Sequence, residues 1–334
     1  MKSWQKLLTI VAMVAMFAGT SVAADYTWTF QTSGAAGDDV YRFLQEWAGW
    51  VKEDSKGRIE IQVLPADAVV KYTETLDAVG ANIIQGDFTD PSYFAGKDPA
   101  FSLIGNMVGA WSHPNQLFDM MENGGGAEIF DKLLNTYNVK LLGVASTGVE
   151  AFVSKIPIRK VDDFKGVKLR APQGMVNNVF TAVGATPVNL PGSEVYTSLE
   201  KGVIDASDYT VFATNQAQGM NDIARFPIYP GFHSMPTMQI TMNLEVWNSL
   251  PDDLKEIMKK NADRFAVYMV EQHEMLDIKA VEEAKAKGIE VVSWPDEEVA
   301  KFREIAKSQW PKWSKSPVAK EWAEAVAAYW KSKQ

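Results

Sequence analysis

Leu190-Pro191-Gly192-Ser193-Glu194-Val195-Tyr196-Thr197-Ser198-Leu199-Glu200-Lys201-Gly202-Val203-Ile204-Asp205-Ala206-Ser207-Asp208-Tyr209 reads as a turn, a short amphipathic helix and a buried strand with a polar end. The strand is expected from Val203 to Ala206, delivering Asp208 and Tyr209 just past its last apolar residue. In an open α/β sheet, ligands bind in the crevice outside the carboxyl ends of the strands, so these two side chains are expected to face one.

The rest of the chain repeats this strand-and-helix pattern. Tyr26-Thr27-Trp28-Thr29-Phe30 alternates apolar and polar residues, Asp38 to Glu53 has helical periodicity, and Arg58 to Val63 alternates again before Pro65. Further strands are expected around Asn82 to Ile84 and at Val139 to Val144, Val167 to Arg170, Met238 to Met242 and Gly288 to Val292. With helix-like stretches between them, they predict an α/β chain whose sheets are largely parallel and covered by helices. From Asp252 to Lys287 helix formers dominate without Pro or Gly, which predicts one or two long helices.

At 334 residues the chain exceeds the comfortable size of one core, so two lobes are expected. A formal charge of -9 argues against nucleic acid, whose phosphates demand a basic stripe. An acidic protein that seizes an anion must place its positive charge locally, inside a cleft. Lys2 and Lys6, the apolar run Leu7 to Ala18 and the small residues of Ser21-Val22-Ala23 form the pattern of a signal peptide cleaved near Ala23. The apolar run is about twelve residues, short of the roughly twenty that a spanning helix needs, so export is expected rather than anchoring. No cysteine is present, which removes disulfides, thiolate nucleophiles and thiolate metal ligands.

Arg170 ends the expected strand Val167 to Arg170, and Ala171-Pro172 turns the chain at once. A guanidinium there presents a planar fork that fits a carboxylate bidentately, although an ordinary surface arginine also suits a strand end. Phe164-Lys165-Gly166-Val167-Lys168-Leu169-Arg170-Ala171-Pro172, the segment Leu190 to Tyr209 and Trp247-Asn248-Ser249-Leu250-Pro251 occur in that order. Together they resemble the solute-binding subunit of tripartite ATP-independent periplasmic (TRAP) transporters, the DctP-type family.

The resemblance implies a two-lobed periplasmic binding protein, type II-like, with discontinuous lobes and a long helix spanning the hinge. The first lobe would take residues 24–149 plus about 237–275, and the second 150–236 plus about 276–334, the last helices packing back on it. Such a protein captures a small organic anion, carboxylate or sulfonate, in the interlobe cleft. It delivers the ligand to small and large membrane subunits that use an ion gradient and no nucleotide. A periplasmic monomer without cofactor is expected.

The resemblance also implies site residues. Arg170 stands where the family holds the arginine that clamps a ligand carboxylate, and Tyr93 resembles a tyrosine that reaches a small acid. Asp208 and Tyr209 fall where relatives carry an acidic or amide residue beside an aromatic that touches ligand or metal; capping of the next helix is the competing role for Asp208. Relatives that use a cation add a second carboxylate in the segment that here reads Tyr229-Pro230-Gly231-Phe232-His233-Ser234-Met235, so no metal is expected. Phe232 and His233 are expected to line the cleft, with the imidazole helping to hold an anion. Gln31 follows the first strand at a crevice-facing end. Glu150, near the crossing between lobes, stands where some relatives use Gln or Arg. A carboxylate there repels a plain dianion and favours a ligand with a hydroxyl or ammonium group.

Enzyme signatures fail on spacing. His273-Glu274 lacks the second His of a zinc helix, Gly124-Gly125-Gly126 lacks the spacing of a dinucleotide turn, and no nucleophile elbow or phosphate loop occurs. A periplasmic enzyme acting on a small organic acid and a ligand-sensing subunit are the alternative readings.

Overall fold

The computed structural model describes residues 24–190 and 192–333. The expected signal peptide and its cleavage near Ala23 lie outside the described residues. Nine strands are present among them: β1 (Tyr26–Thr32), β2 (Ile59–Leu64), β3 (Gly86–Thr89), β4 (Val139–Ala145), β5 (Phe152–Ser154), β6 (Lys168–Arg170), β7 (Thr186–Val188), β8 (Ala206–Asp208) and β9 (Met238–Asn243). They form one sheet in each of two lobes, ordered β2-β1-β3-β9-β4 in the first and β5-β8-β6-β7 in the second.

The alternation read at the N-terminus places Trp28 and Phe30 in the core and leaves Thr27 exposed. Helix Asp39–Asp54 covers that face with Phe43, Leu44, Trp47, Ala48 and Val51, spaced three and four apart so that they share one stripe. Trp47 meets Phe30 with ring centroids 5.4 Å apart. Each such large side chain contributes about 1.5–3 kcal/mol when fully buried.

The sheets are mixed rather than largely parallel. β1 runs parallel to β2 and β3, but β9 is antiparallel to both β3 and β4. The reason is the route of the chain: β4 leads out of the first lobe and β9 leads back into it beside β4, so the two must run oppositely. In the second lobe β6 is parallel to β7 and β8, while the entering strand β5 is antiparallel to β8.

The two crossings are tied together where the Glu150 N–H donates to the Ser234 carbonyl at 2.8 Å. A single 35-residue helix, Asp252–Ala286, makes the third link between lobes. It packs on β4 and helix Asp39–Asp54 of the first lobe and on helix Phe212–Ala217 of the second. There the Asp277 carboxylate accepts from the Ala213 N–H at 2.7 Å. No described helix is long and apolar enough to cross a membrane.

Four expectations shift. Asn82 to Ile84 is a turn, with Asn82 at φ +57° and Ile83 61% exposed, and the strand begins at Gly86. Val203 is half exposed after Gly202 turns at φ +70°, so the strand of the opening stretch is Ala206–Asp208 and contains Asp208 instead of preceding it. Gly288 to Val292 makes only an isolated bridge, Val292 to Ile228. Finally, helix Asp296–Lys307 packs on helix Met175–Ala182 of the second lobe, but helix Pro317–Ser332 crosses to the first lobe and packs on helices Pro99–Gly105 and Gly126–Asn135. Its buried stripe Ala319, Trp322, Val326 and Tyr329 matches the apolar face of the latter helix, which carries Ile129, Phe130, Leu133 and Leu134.

Candidate functional site

β6 and β8 are neighbours, with Arg170 opposite Ser207, so the end of the second-lobe sheet delivers Arg170, Asp208 and Tyr209 side by side. Two backbone carbonyls fix the guanidinium. Nε donates to the Leu190 carbonyl at 3.2 Å and Nη1 to the Asp208 carbonyl at 2.8 Å. A guanidinium has five N–H donors, so most of the fork stays available for a ligand carboxylate. The Tyr209 ring centroid lies 6.0 Å from Arg170 Cζ.

Asp208 is the electrostatic centre. Its Oδ2 lies 3.7 Å from Arg170 Nη1 and its Oδ1 2.5 Å from His233 Nε2, and both residues of the latter pair are buried. Burial pushes the Asp208 carboxyl up, but the His233 hydrogen bond and charge, the Arg170 guanidinium and a hydrogen bond with Glu150 outweigh it and hold the group below its usual range. The neighbouring Glu150 moves the other way. Burial first, then the charge of Asp208, raises its carboxyl well above the usual value despite a hydrogen bond with Ser234. The two adjacent carboxyls are thus pushed apart, Glu150 toward its neutral form and Asp208 toward its ionised form.

The first lobe contributes turns. Asp90 ends the β3 segment and accepts from the Ser92 N–H at 2.7 Å, starting the 3-10 turn Pro91–Phe94 that carries Tyr93. Burial is the main reason that the Asp90 carboxyl rises to about 6. Gly105 makes this turn possible, because a Cβ there would sit 2.4 Å from Asp90 Oδ1 and from the Ser92 nitrogen. Gly231 does the same at the hinge, where a Cβ would fall 2.3 Å from the Glu150 carbonyl oxygen.

Between the lobes lies a cavity of about 460 Å³, lined among others by Tyr93, Asn106, Glu150, Arg170, Asp208 and Tyr209. This is within the ordinary range for small-molecule sites. An adjoining cavity of about 440 Å³ shares Tyr93 and Arg170 and reaches Trp313.

Three sequence-expected residues lie elsewhere. Gln31 is fully buried because β1 continues to Thr32; its Oε1 accepts from Val69 and Val70 N–H groups at 2.8 and 3.3 Å, and its Nε2 donates to the Val70 carbonyl at 2.8 Å. Phe232 stacks on Trp294 with centroids 4.1 Å apart, inside a cluster with Phe164 and Phe302. His233 stands behind Asp208 as its partner and does not line the cavity. Asp208 does not cap the next helix, whose N-cap is Val211.

A second carboxylate does stand beside Asp208, because Glu150 supplies what the segment around Phe232 lacks. Ligating atoms of Glu150, Asp208 and His233 all lie within 4.8 Å of one another. Asp90 and Asn106 are among the cavity residues that went unread in sequence. Asp90 carried a signal in Asp90-Pro91-Ser92 at a strand end, whereas Asn106 carried none.

The comparisons with known proteins agree with this architecture. The profile of the bacterial extracellular solute-binding protein family 7 matches residues 30–316. A monocarboxylate 2-oxoacid-binding periplasmic protein of Nostoc is 30% identical over 272 residues, covering 81% of this chain and 74% of that one. An ectoine-binding periplasmic protein of Halomonas elongata is 24% identical over 312 residues, covering 90% and 89%. The crystal structure of a TRAP periplasmic solute-binding protein from Rhodobacter sphaeroides, in an apo open form, is 47% identical with a TM-score of 0.80, covering 92% of this chain and 98% of that one. The chain belongs to family 7 of the bacterial extracellular solute-binding proteins.

Proposed function

We propose that this protein captures a small organic acid by closing its two lobes, with Arg170 taking the carboxylate, and presents the closed form to the small and large membrane subunits of a TRAP transporter in the periplasm. The observation that carries the reading is the guanidinium held by two backbone carbonyls at the edge of an interlobe cavity. Its orientation is paid for before the ligand arrives, so little side-chain entropy is lost on binding. Tyr93 and Asp90 on the first lobe face Tyr209 and Arg170 on the second across the same cavity, so a ligand touching both walls favours the closed state. The Nostoc relative is named for a 2-oxoacid and the Halomonas relative for ectoine, which fits a family scaffold that varies its ligand.

The test is mass spectrometry of small molecules released by denaturing freshly purified protein, followed by titration of the released compound. A carboxylic or sulfonic acid that rebinds without being turned over supports the reading. A compound without an acid group, or one converted to product, would sink it.

A further inference from the structure

Capture of an acid accounts for the one arginine of the cleft and leaves the wall beside it unexplained. That wall carries three carboxyl groups and an amide oxygen. Asp90, Glu150 and Asp208 line the same cavity as Arg170. Asn106, 6% exposed, lines it too; its Nδ2 donates to Ser234 Oγ, and its Oδ1 is buried without a donor. A ligand bearing only acceptors would satisfy the guanidinium, leave the Asn106 amide oxygen without a donor and bring no positive charge to a wall that sets three carboxyl groups beside one arginine.

We propose, resting on the acid-capture reading above, that the ligand is a small zwitterion, with its carboxylate on Arg170 and a cationic nitrogen bearing N–H groups seated among Glu150, Asp208 and the Asn106 amide oxygen. The spacing limits its size. Asp208 Oδ2 is 3.7 Å from Arg170 Nη1, and an oxygen of Glu150 lies within 4.8 Å of the Asp208 and His233 ligating atoms. Positive and negative subsites this close suit a nitrogen one or two carbons from the carboxylate, as in an α- or β-amino acid. A metal ion is the less suited source of positive charge, because His233 Nε2 is already committed to Asp208 Oδ1 at 2.5 Å.

The experiment uses the full exported protein, dialysed against a chelator, in thermal denaturation with the proteinogenic amino acids and β-alanine. Propionate, lactate, pyruvate and succinate serve as acids without nitrogen. At least one amino acid should raise the midpoint by about 5 °C or more at millimolar concentration. By calorimetry it should bind at least about tenfold tighter than the acid of the same skeleton. Glu150→Gln, which keeps the shape and loses the charge, should erase most of that preference. A plain acid binding as tightly as its amino analogue overturns the proposal. So does an acid that binds only with calcium or sodium, which would give the carboxyls to a metal. If neither amino acids nor plain acids shift the midpoint, the acid-capture reading fails and this proposal falls with it.

Discussion

The two walls of the cleft are built by different means. The second lobe offers the ends of adjacent strands: Arg170 on β6 and Asp208 on β8 are set by the sheet register, and the arginine is pinned by carbonyls. The first lobe offers turns and helix ends, where Asp90, Tyr93 and Asn106 depend on short loops and on close approaches such as Gly105. One wall is rigid because a ladder holds it; the other is shaped by local hydrogen bonds that closure can adjust. The difference teaches where each perturbation should be felt.

The largest effect is expected behind the rigid wall. Phe232→Ala removes a ring stacked on Trp294 and should cost about 3–5 kcal/mol of stability, read by denaturant titration. Loss of under about 1 kcal/mol would mean that this aromatic cluster does not brace the second lobe. Next comes Arg170→Ala, which leaves the fold intact by circular dichroism and weakens binding of the released ligand by about 2–5 kcal/mol, roughly thirtyfold to several thousandfold. Arg170→Lys should lose much of that affinity as well, since an ammonium cannot reproduce the fork.

A pH experiment probes the helix that joins the walls. Burial raises the Asp277 carboxyl to about 6, so the folded protein binds its proton more tightly than the unfolded chain, and its contribution to stability falls as pH rises from about 4 to about 6. Burial lowers His273 to about 4, so its contribution falls in the opposite direction, as pH drops through about 6. Each amounts to about 3 kcal/mol at 1.36 kcal/mol per unit, and the two offset each other. Asp277→Asn keeps an acceptor for Ala213 and should remove this falling contribution, so that between pH 4 and pH 6 the variant gains about 3 kcal/mol relative to the wild-type profile. A variant profile parallel to that of the wild type would contradict a carboxyl raised by burial at Asp277.

The smallest effect separates structure from site within the first lobe. Gln31→Ala should cost about 1–3 kcal/mol of stability by orphaning the Val69 and Val70 groups, while ligand affinity changes less than about twofold. Tyr93→Ala should do the reverse, weakening binding with little loss of stability. If Gln31→Ala selectively removed binding, the first-lobe wall would have been drawn in the wrong place.

What the sequence made legible follows the same division. Arg170 could be read because everything that fixes it is local in pattern: an apolar strand, a charged end and an immediate Ala171-Pro172 turn. The α/β order and the long helix were legible for the same reason, as periodicity is a property of neighbouring residues. Gln31 was misread because the amides that consume it lie 38 and 39 residues away, and Asn106 was invisible because its partner Ser234 is 128 residues away. The pairing of Glu150 with Asp208 likewise exists only after folding, which is why one carboxylate seemed to stand alone. The antiparallel β9 was hidden because direction depends on where the chain returns, which no local pattern records.

Small-angle scattering with and without the released ligand tests the two-wall clamp most directly. The radius of gyration should fall on ligand addition in the wild-type protein and stay unchanged in Arg170→Ala at the same ligand concentration. Full binding with no compaction in the wild type would contradict the claim that the ligand is held by closing one lobe upon the other.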